Sequence, residues 1–416
     1  MINQATGQRE LCYIVKVDNI LPIEGAEKVE QAIVGGWHIM VRKNQFQIGD
    51  LAVYFEIDSK VPEIEPFLFL KDKHYKIKTQ KYFKGAVISQ GLLMSLNDFP
   101  NIFEYDEKNQ AWFYTEKNDR KIVCVNDFLT RILNVKYSVQ EDNVRKSNSD
   151  KYKRMAERHN KLFKRSRLIQ WLYQRKWGKK LLFIFLGKKK DSASGWPVGK
   201  FEGVSKTDQE RCENMTWVLE DKTPYIVTQK CDGSSGTFIL ARKPFGKFEF
   251  YVCSRNVRML KPDQKCFYGD DNYYWDAAIK YDIENKMKDY LQKNKDITFV
   301  CWQGEICAPG IQKNPHNLKE LHLFCFHMTD SKNGRYDIRE AKKIWDSYNM
   351  ETVPIVDENY IMPDDFEEFK LQADGLYDAS VCEGHTDCAR EGFVYYKTTD
   401  PTFSFKNVSR EYLLTR

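Results

Sequence analysis

The run Gln229-Lys-Cys-Asp-Gly-Ser-Ser-Gly236 sets a lysine at the end of a strand-like stretch, with Asp232 and Gly233 close behind it. A neutral lysine amine is a nucleophile, but at a reference pKa near 10.4 deprotonating it at pH 7 costs about 4–5 kcal/mol. Burial or neighbouring cations lower that cost. Gly233 permits a tight turn, and the small Ser234 and Ser235 let a large ligand approach the backbone. Alone, a Lys-x-Asp-Gly run is most often an exposed turn. Five further stretches strengthen it: Ser254-Arg255-Asn256, Gly304-Glu305, Phe324-Cys-Phe-His327, Glu391-Gly392 and Ser404-Phe-Lys406. Each lies beside a strand-like run. Together they hold what a purine nucleotide requires: an aromatic ring for the base, carboxylates for ribose and metal, and cations for phosphates.

The elements that must position these groups are legible as hydrophobic patterns. From Trp196 onward, Tyr225–Gln229, Thr237–Leu240, Phe248–Cys253, Ile297–Trp302, Leu321–His327 and Gly392–Tyr396 read as strands. Tyr274–Lys293 and Arg339–Tyr348 read as helices, which makes residues 195–416 an α+β domain. Residues 1–100 differ. Leu11–Val17, Val29–Val34, Trp37–Val41 and Leu51–Ile57 are short strands at about ten-residue spacing, broken by Gly turns, which fits an OB-like β-barrel.

Between these domains, residues 101–194 read as a charged linker or insertion. Asn143–Lys190 carries 17 Lys and Arg against 2 Asp and Glu, while the whole chain of 416 residues has a net charge of only +6. From Ser149 to Lys180 the composition is helical, with Leu162, Phe163, Leu168, Ile169, Leu172 and Tyr173 at helix-compatible spacing. Such a basic amphipathic helix suits three roles: a solvated linker, a grip on a phosphate backbone beside Trp171 and Trp177, or docking on a membrane surface or partner.

Composition narrows the class. Hydrophobic residues at 42% and aromatics at 14% exclude a mostly disordered chain. The first ten residues lack the apolar core of a secretory signal, and Leu181–Leu186 is far too short to span a bilayer. Eleven scattered cysteines include no CxxC pair, and Cys382, His385 and Cys388 stand without a second ligand pair. Reduced thiols in an intracellular, cytoplasmic protein with no membrane contact are the expectation.

In this order the motifs resemble the covalent nucleotidyltransferase superfamily of ATP-dependent ligases and messenger-RNA capping enzymes. More narrowly, they are similar to the RNA ligase family represented in Deinococcus and Naegleria. Lys206-Thr-Asp-Gln-Glu-Arg211 resembles the Lys-Thr-Asp-x-x-Arg segment ahead of that family's nucleophile. Gly49–Asp58 and Ser89–Leu93 are similar to its amino-terminal OB domain. The resemblance covers residues 1–100 and 195–416 and implies ATP as cofactor, with Mg²⁺ or Mn²⁺. Lys230 would be the nucleophile that becomes lysyl-AMP, and Lys406 would contact the α-phosphate. Gln229, Asp232 and Gly233 would border the nucleotide. Arg255 would serve the ribose or the nick phosphate, and Arg211 and Lys206 the triphosphate tail. Glu305 and Glu391 would bind ribose or metal. Phe326 would stack on adenine, with Phe324 as the alternative. The implied partner is RNA, or an RNA-containing duplex, with 3′-hydroxyl and 5′-phosphate ends; a monomer is expected.

Three departures stand out. Ser234 and Ser235 replace an arginine common after Asp-Gly. Ser404 stands for the first lysine of a Lys-x-Lys pair, leaving Lys397 or Arg410 to compensate. His327 replaces an acid that often follows the stacking aromatic. A capping guanylyltransferase would share Lys230, but its OB domain normally follows the catalytic domain. A non-catalytic nucleic-acid-binding protein would need no intact lysine and paired glutamates. An RNA ligase sealing breaks, at nicks in duplex RNA or RNA–DNA hybrid, is the leading expectation.

Overall fold

The structure is a computed structural model and describes residues 1–3, 8–83, 87–116, 118–138, 166–175, 177–179, 181–182, 193–195, 200–255, 257–259, 272–384 and 387–415. They fall into two compact units. One comprises residues 10–34 and 38–191; the other comprises 1–9, 35–37 and 192–416.

The amino-terminal unit is built from short antiparallel sheets. β1 (Cys12–Lys16) pairs with β5 (Leu51–Phe55), which pairs with β6 (Leu92–Ser95). β2 (Asn19–Pro22), β3 (Val29–Val34) and β4 (Trp37–Arg42) form a second three-stranded sheet. In β3 burial alternates residue by residue, with Ala32 and Val34 inside, as a one-face-buried strand requires. A meander of β7 (Phe103–Asp106), β8 (Ala111–Glu116) and β9 (Asp119–Ile122) completes the unit. Phe103, Tyr114, Leu129 and Leu133 share one core with Ile14, Val53, Phe55 and Phe67. The charged-linker reading of 101–194 therefore needs correction: residues to about 135 belong to the amino-terminal core. Their polar composition hid a meander whose inward positions are apolar.

Most of the expected basic helix, residues 149–165 included, lies outside the described residues. Within them it appears as α1 (Arg167–Tyr173), whose Ser166 hydroxyl accepts the Ile169 N–H.

Besides the short pairing of Ile2–Asn3 with Gln8–Arg9, the carboxy-terminal unit holds two larger sheets among the described residues. Seven antiparallel strands run in the order β10 (Ala193–Gly195), β15 (Val257–Met259), β14 (Phe248–Cys253), β13 (Ser234–Arg242), β16 (Phe299–Cys307), β17 (His322–Asp330) and β18 (Gly334–Arg335). The second sheet runs β11 (Glu210–Arg211), β21 (Asp400–Val408), β20 (Gly392–Lys397), β12 (Tyr225–Gln229) and β19 (Ile355–Tyr360). Among the described strands of these two sheets only β11 and β21 pair in parallel, with Arg211 opposite Lys406. Helices α2 (Tyr273–Lys280), α3 (Ile283–Lys293) and α4 (Ile338–Ser347) cover one face of the larger sheet through Trp275, Met287, Leu291 and Trp345. The single helix expected over 274–293 is two, because Asp282 adopts a left-handed conformation (φ 49°) between them. α5 (Phe366–Leu371) and α6 (Arg410–Thr415) accompany the smaller sheet. Phe324 of β17, Ile226 of β12 and Val394 of β20 meet in one cluster, which joins the two sheets.

Candidate active site

Lys230 follows the last residue of β12, and its N–H donates to the Gly392 carbonyl at the start of β20 (2.9 Å). Antiparallel pairing of β12 and β20 thus brings together two motifs 161 residues apart. Lys230 Nζ lies 2.9 Å from Glu391 Oε2. Glu305 reaches the same place from β16, where its Oε1 accepts the Gly233 N–H (3.1 Å) and its backbone is in register with Ser235. Two glycines allow the closeness. A Cβ on Gly233 would stand 2.4 Å from the Ile306 carbonyl oxygen, and one on Gly392 (φ 134°) 2.1 Å from that of Asn407.

Two side chains that no sequence signal singled out brace this centre. His316 Nε2 accepts the Asp232 N–H (3.2 Å), and burial lowers its pKa to about 4, which keeps the ring neutral and able to accept. Its ring packs on Tyr377 at 4.2 Å, and the Tyr377 hydroxyl accepts the Glu391 N–H (3.1 Å). Asp232 and Glu391 are therefore fixed through one aromatic pair.

The electrostatics are strongly coupled. Burial pushes the Glu305 carboxyl up to about 8; Lys230 opposes the shift, while Glu391 and Asp232 reinforce it. Burial alone would lower the Lys230 pKa, but Glu391 and Glu305 more than offset it and hold the amine above its ordinary range. Lys406 shows the reverse. Burial, then Arg9, Arg211 and Lys230, hold it well below the lysine range, with Glu391 in opposition.

The remaining expected residues are placed as follows. Arg211 is buried beside Lys406. Arg255 pairs with Asp208, whose other oxygen lies 3.9 Å from Lys406 Nζ, so Asp208 links the two cations. Lys206 is exposed and lines a cavity with Ser404. Gln229 is buried, and its amide oxygen accepts the Asp378 N–H (2.8 Å). Phe324 is 2% exposed and enclosed, whereas Phe326 is only partly buried at the edge of the same cluster. Neither residue expected to compensate for Ser404 is available: Lys397 pairs with Asp221 (2.6 Å) and Arg410 with Glu367. Arg211 is the cation that the parallel strand pair brings into register with Lys406. His385, of the cysteine–histidine group, lies outside the described residues.

A lysine at a strand end with two carboxylates close by thus stands where the two sheets meet, and Arg211 lies in register with Lys406 in the smaller of them. Residues 223–409 match the RNA ligase family model. Residues 11–96 match the model of an OB-fold domain. Among solved structures, the chain is similar to a Naegleria gruberi RNA ligase mutant with ATP and Mn, at 24% identity and a TM-score of 0.66 over 97% of each chain. It is similar to Naegleria gruberi RNA ligase with PPi, at 24% identity and a TM-score of 0.67 over 98% of each chain. A further mutant of that ligase, with AMP and Mn, gives 24% and 0.67 over 97% of this chain and 98% of that one. At this identity the likeness is one of fold. No curated protein matches the chain by sequence. Among the described residues, no helix is long and apolar enough to cross a membrane.

Proposed function

We propose that the protein is an ATP-dependent RNA ligase that works through a lysyl-AMP intermediate. The observation that carries this reading is the Lys230–Glu391 contact of 2.9 Å, with Glu305 held at the same centre by the Gly233 N–H. In the first step the Lys230 amine, having lost its proton, attacks the α-phosphorus of ATP. A P–N bond forms, the α–β P–O bond breaks, and pyrophosphate leaves. In the second step the 5′-phosphate of an RNA strand attacks the lysyl-AMP phosphorus and regenerates the amine. In the third, the 3′-hydroxyl attacks the adenylylated 5′-phosphate, forming the phosphodiester and releasing AMP.

The chain's own residues prepare these steps. Glu391 holds Lys230 protonated until its charge is countered, so the nucleophile is unmasked only when the site is loaded. Lys406 and Arg211, side by side, face the charge that develops on the transferring phosphate. Phe326, with its partly open ring, stacks on adenine, a role for which the enclosed Phe324 has no open face. Asp208 orients Arg255 toward ribose or nick phosphate.

The donor set fits a divalent cation. Glu305 on β16 and Glu391 just before β20 offer hard carboxylate oxygens from the two sheets, and no cluster of three ligating side chains occurs among the described residues. That suits Mg²⁺ or Mn²⁺ retaining most of its waters. When bound, such an ion supplies neutralisation of charge on the α-phosphate and on departing pyrophosphate. The substrate is an RNA-containing duplex with a 3′-hydroxyl and a 5′-phosphate at a nick, gripped in part by the OB fold, and one copy of the chain suffices. The buried cysteines, Cys231, Cys307 and Cys325 among them, are thiols, which supports an intracellular, cytoplasmic setting.

The test is incubation with α-labelled ATP or GTP and Mg²⁺ or Mn²⁺, followed by denaturing electrophoresis. Acid-labile label from ATP that Lys230→Ala abolishes is the expected result. Label from GTP alone would make the protein a capping-type enzyme, and no label from either would leave a binding protein.

A further inference from the structure

Away from Lys230, a cavity of about 670 Å³ opens between segment 202–209, the β17–β18 hairpin and the outer part of β21, lined among others by Lys206, Asp208, His327, Arg335, Thr402 and Ser404. His327 is 94% buried, yet neither ring nitrogen has a hydrogen-bond partner among the described residues. Buried polar groups in folded proteins are nearly always paired, so one left open toward a cavity marks a place for a ligand atom. Arg335, partly buried, lines the same cavity. Its Nε donates to Thr329 Oγ1 (3.0 Å), and it forms no ion pair with a carboxylate among the described residues.

The walls around these two groups are satisfied and rigid. Gln303, in register with His327, donates to the Ser205 carbonyl (2.9 Å) and Thr237 Oγ1 (3.1 Å), which fixes segment 202–209 over the sheet. Asp330 accepts the N–H groups of Lys332 (2.8 Å) and Asn333 (2.7 Å) and the Tyr290 hydroxyl (3.1 Å), so the turn carrying Arg335 is tied down and its carboxylate is turned away from use. Asp208 is already engaged with Arg255 and Lys406. What remains open is a guanidinium fork and an imidazole donor, with the Ser404 and Thr402 hydroxyls lining the same space. Arginine matches phosphate oxygens two at a time, and a neutral imidazole adds one N–H.

We propose that this cavity is a subsite for a terminal phosphate, held by Arg335 and His327. Two sources share that chemistry: the polyphosphate end of a nucleoside triphosphate and the 5′-phosphate of an RNA strand. The inference rests on the ligase reading only for the choice between these sources.

Binding of inorganic tripolyphosphate to the full chain, without metal, is measured by calorimetry for the parent protein, Arg335→Gln and His327→Phe. In parallel, binding of an RNA oligonucleotide with a 5′-phosphate is compared with the same strand bearing a 5′-hydroxyl. A loss of tripolyphosphate affinity of about tenfold in both variants, with AMP affinity unchanged, assigns the subsite to the triphosphate. Collapse of the preference for 5′-phosphate over 5′-hydroxyl RNA assigns it to the strand end. Parent-like behaviour of both variants with both ligands overturns the proposal. If a variant fails to fold, the unaltered protein decides: tripolyphosphate or 5′-phosphate RNA should slow phenylglyoxal modification of Arg335, read by peptide mass spectrometry, and an unchanged rate with both overturns the site. Labelling of Lys230 by ATP is scored separately, so failure of the ligase reading and failure of the subsite give different results.

Discussion

Replacing Lys370 with methionine should destabilise the carboxy-terminal unit by about 3–5 kcal/mol, the range for breaking a buried ion pair from one side. Lys370 and Glu213 are both fully buried, with Nζ 2.8 Å from Oε1, and Nζ also donates to the Val408 carbonyl (3.0 Å). At an effective dielectric near 20 the Coulomb attraction at that distance is about 6 kcal/mol before desolvation is subtracted. Lys370→Met strands the Glu213 carboxylate and the Val408 carbonyl together. For a unit of this size the melting temperature should fall by about 10 °C. The double variant Lys370→Met/Glu213→Gln, which leaves no stranded charge, should recover more than half of the loss. The sign of the pH dependence follows. Burial pushes the Glu213 carboxyl up, but Lys370 and Arg211 outweigh it, and the net pKa lies below the ordinary value of 4.5. The pair therefore stabilises the fold above that value and loses its contribution as pH falls through the lower, folded-state pKa. The gap between parent and Lys370→Met should narrow in acid. Thermal and urea unfolding followed by circular dichroism measure all of this. A single variant that loses less than about 1 kcal/mol, or a double variant no better than the single, would refute the reasoning. The consequence extends to chemistry because Val408 lies two residues beyond Lys406 and Glu213 two beyond Arg211. Lys370 ties the two cation-bearing strands together.

Gly392→Ala should reduce lysyl-AMP formation at least tenfold and lower the melting temperature, since the new Cβ meets the Asn407 carbonyl; parent-like labelling would show that β20 can shift. With Glu305 holding its proton up to about pH 8, metal-free protein should bind Mn²⁺ about tenfold more weakly for each pH unit below that value. Glu305→Gln should flatten this dependence, as electron paramagnetic resonance titration can check. Removing residues 143–190 and bridging the gap with a flexible linker should weaken RNA binding and make its logarithmic salt slope shallower. An unchanged slope would mean that the basic segment does not touch phosphates.

The motif order Lys230, Glu305, Glu391 and Lys406 was legible in the chain because each residue stands at a strand end and alternation marks strands well. What was not legible depends on pairing between distant strands. That Arg211 stands beside Lys406 follows from the parallel register of β11 and β21, and β11 is two residues long, with no periodicity to read. Lys397 and Arg410 looked equally able to compensate for Ser404; their partners, Asp221 and Glu367, lie 176 and 43 residues away. His316 follows Asn314 and Pro315 in a loop, where composition gives no hint that its ring accepts the Asp232 N–H. The choice between Phe324 and Phe326 turns on which ring the neighbouring β12 and β20 side chains enclose, and identical residue types cannot reveal that. The meander over 103–122 was masked because its outward positions carry most of the charge.

Burial, and after it the charges of Arg9, Arg211 and Lys230, make Lys406 reluctant to hold its proton. A nucleotide bringing phosphate oxygens reverses that reluctance and draws a proton from solvent as it docks. Observed binding heats should then scale with the ionisation enthalpy of the buffer, and the apparent affinity for ATP should weaken toward alkaline pH even where the nucleotide's own charge no longer changes. The buffer becomes a silent co-substrate of recognition, and affinities measured in two buffers at one pH should still agree while their enthalpies do not.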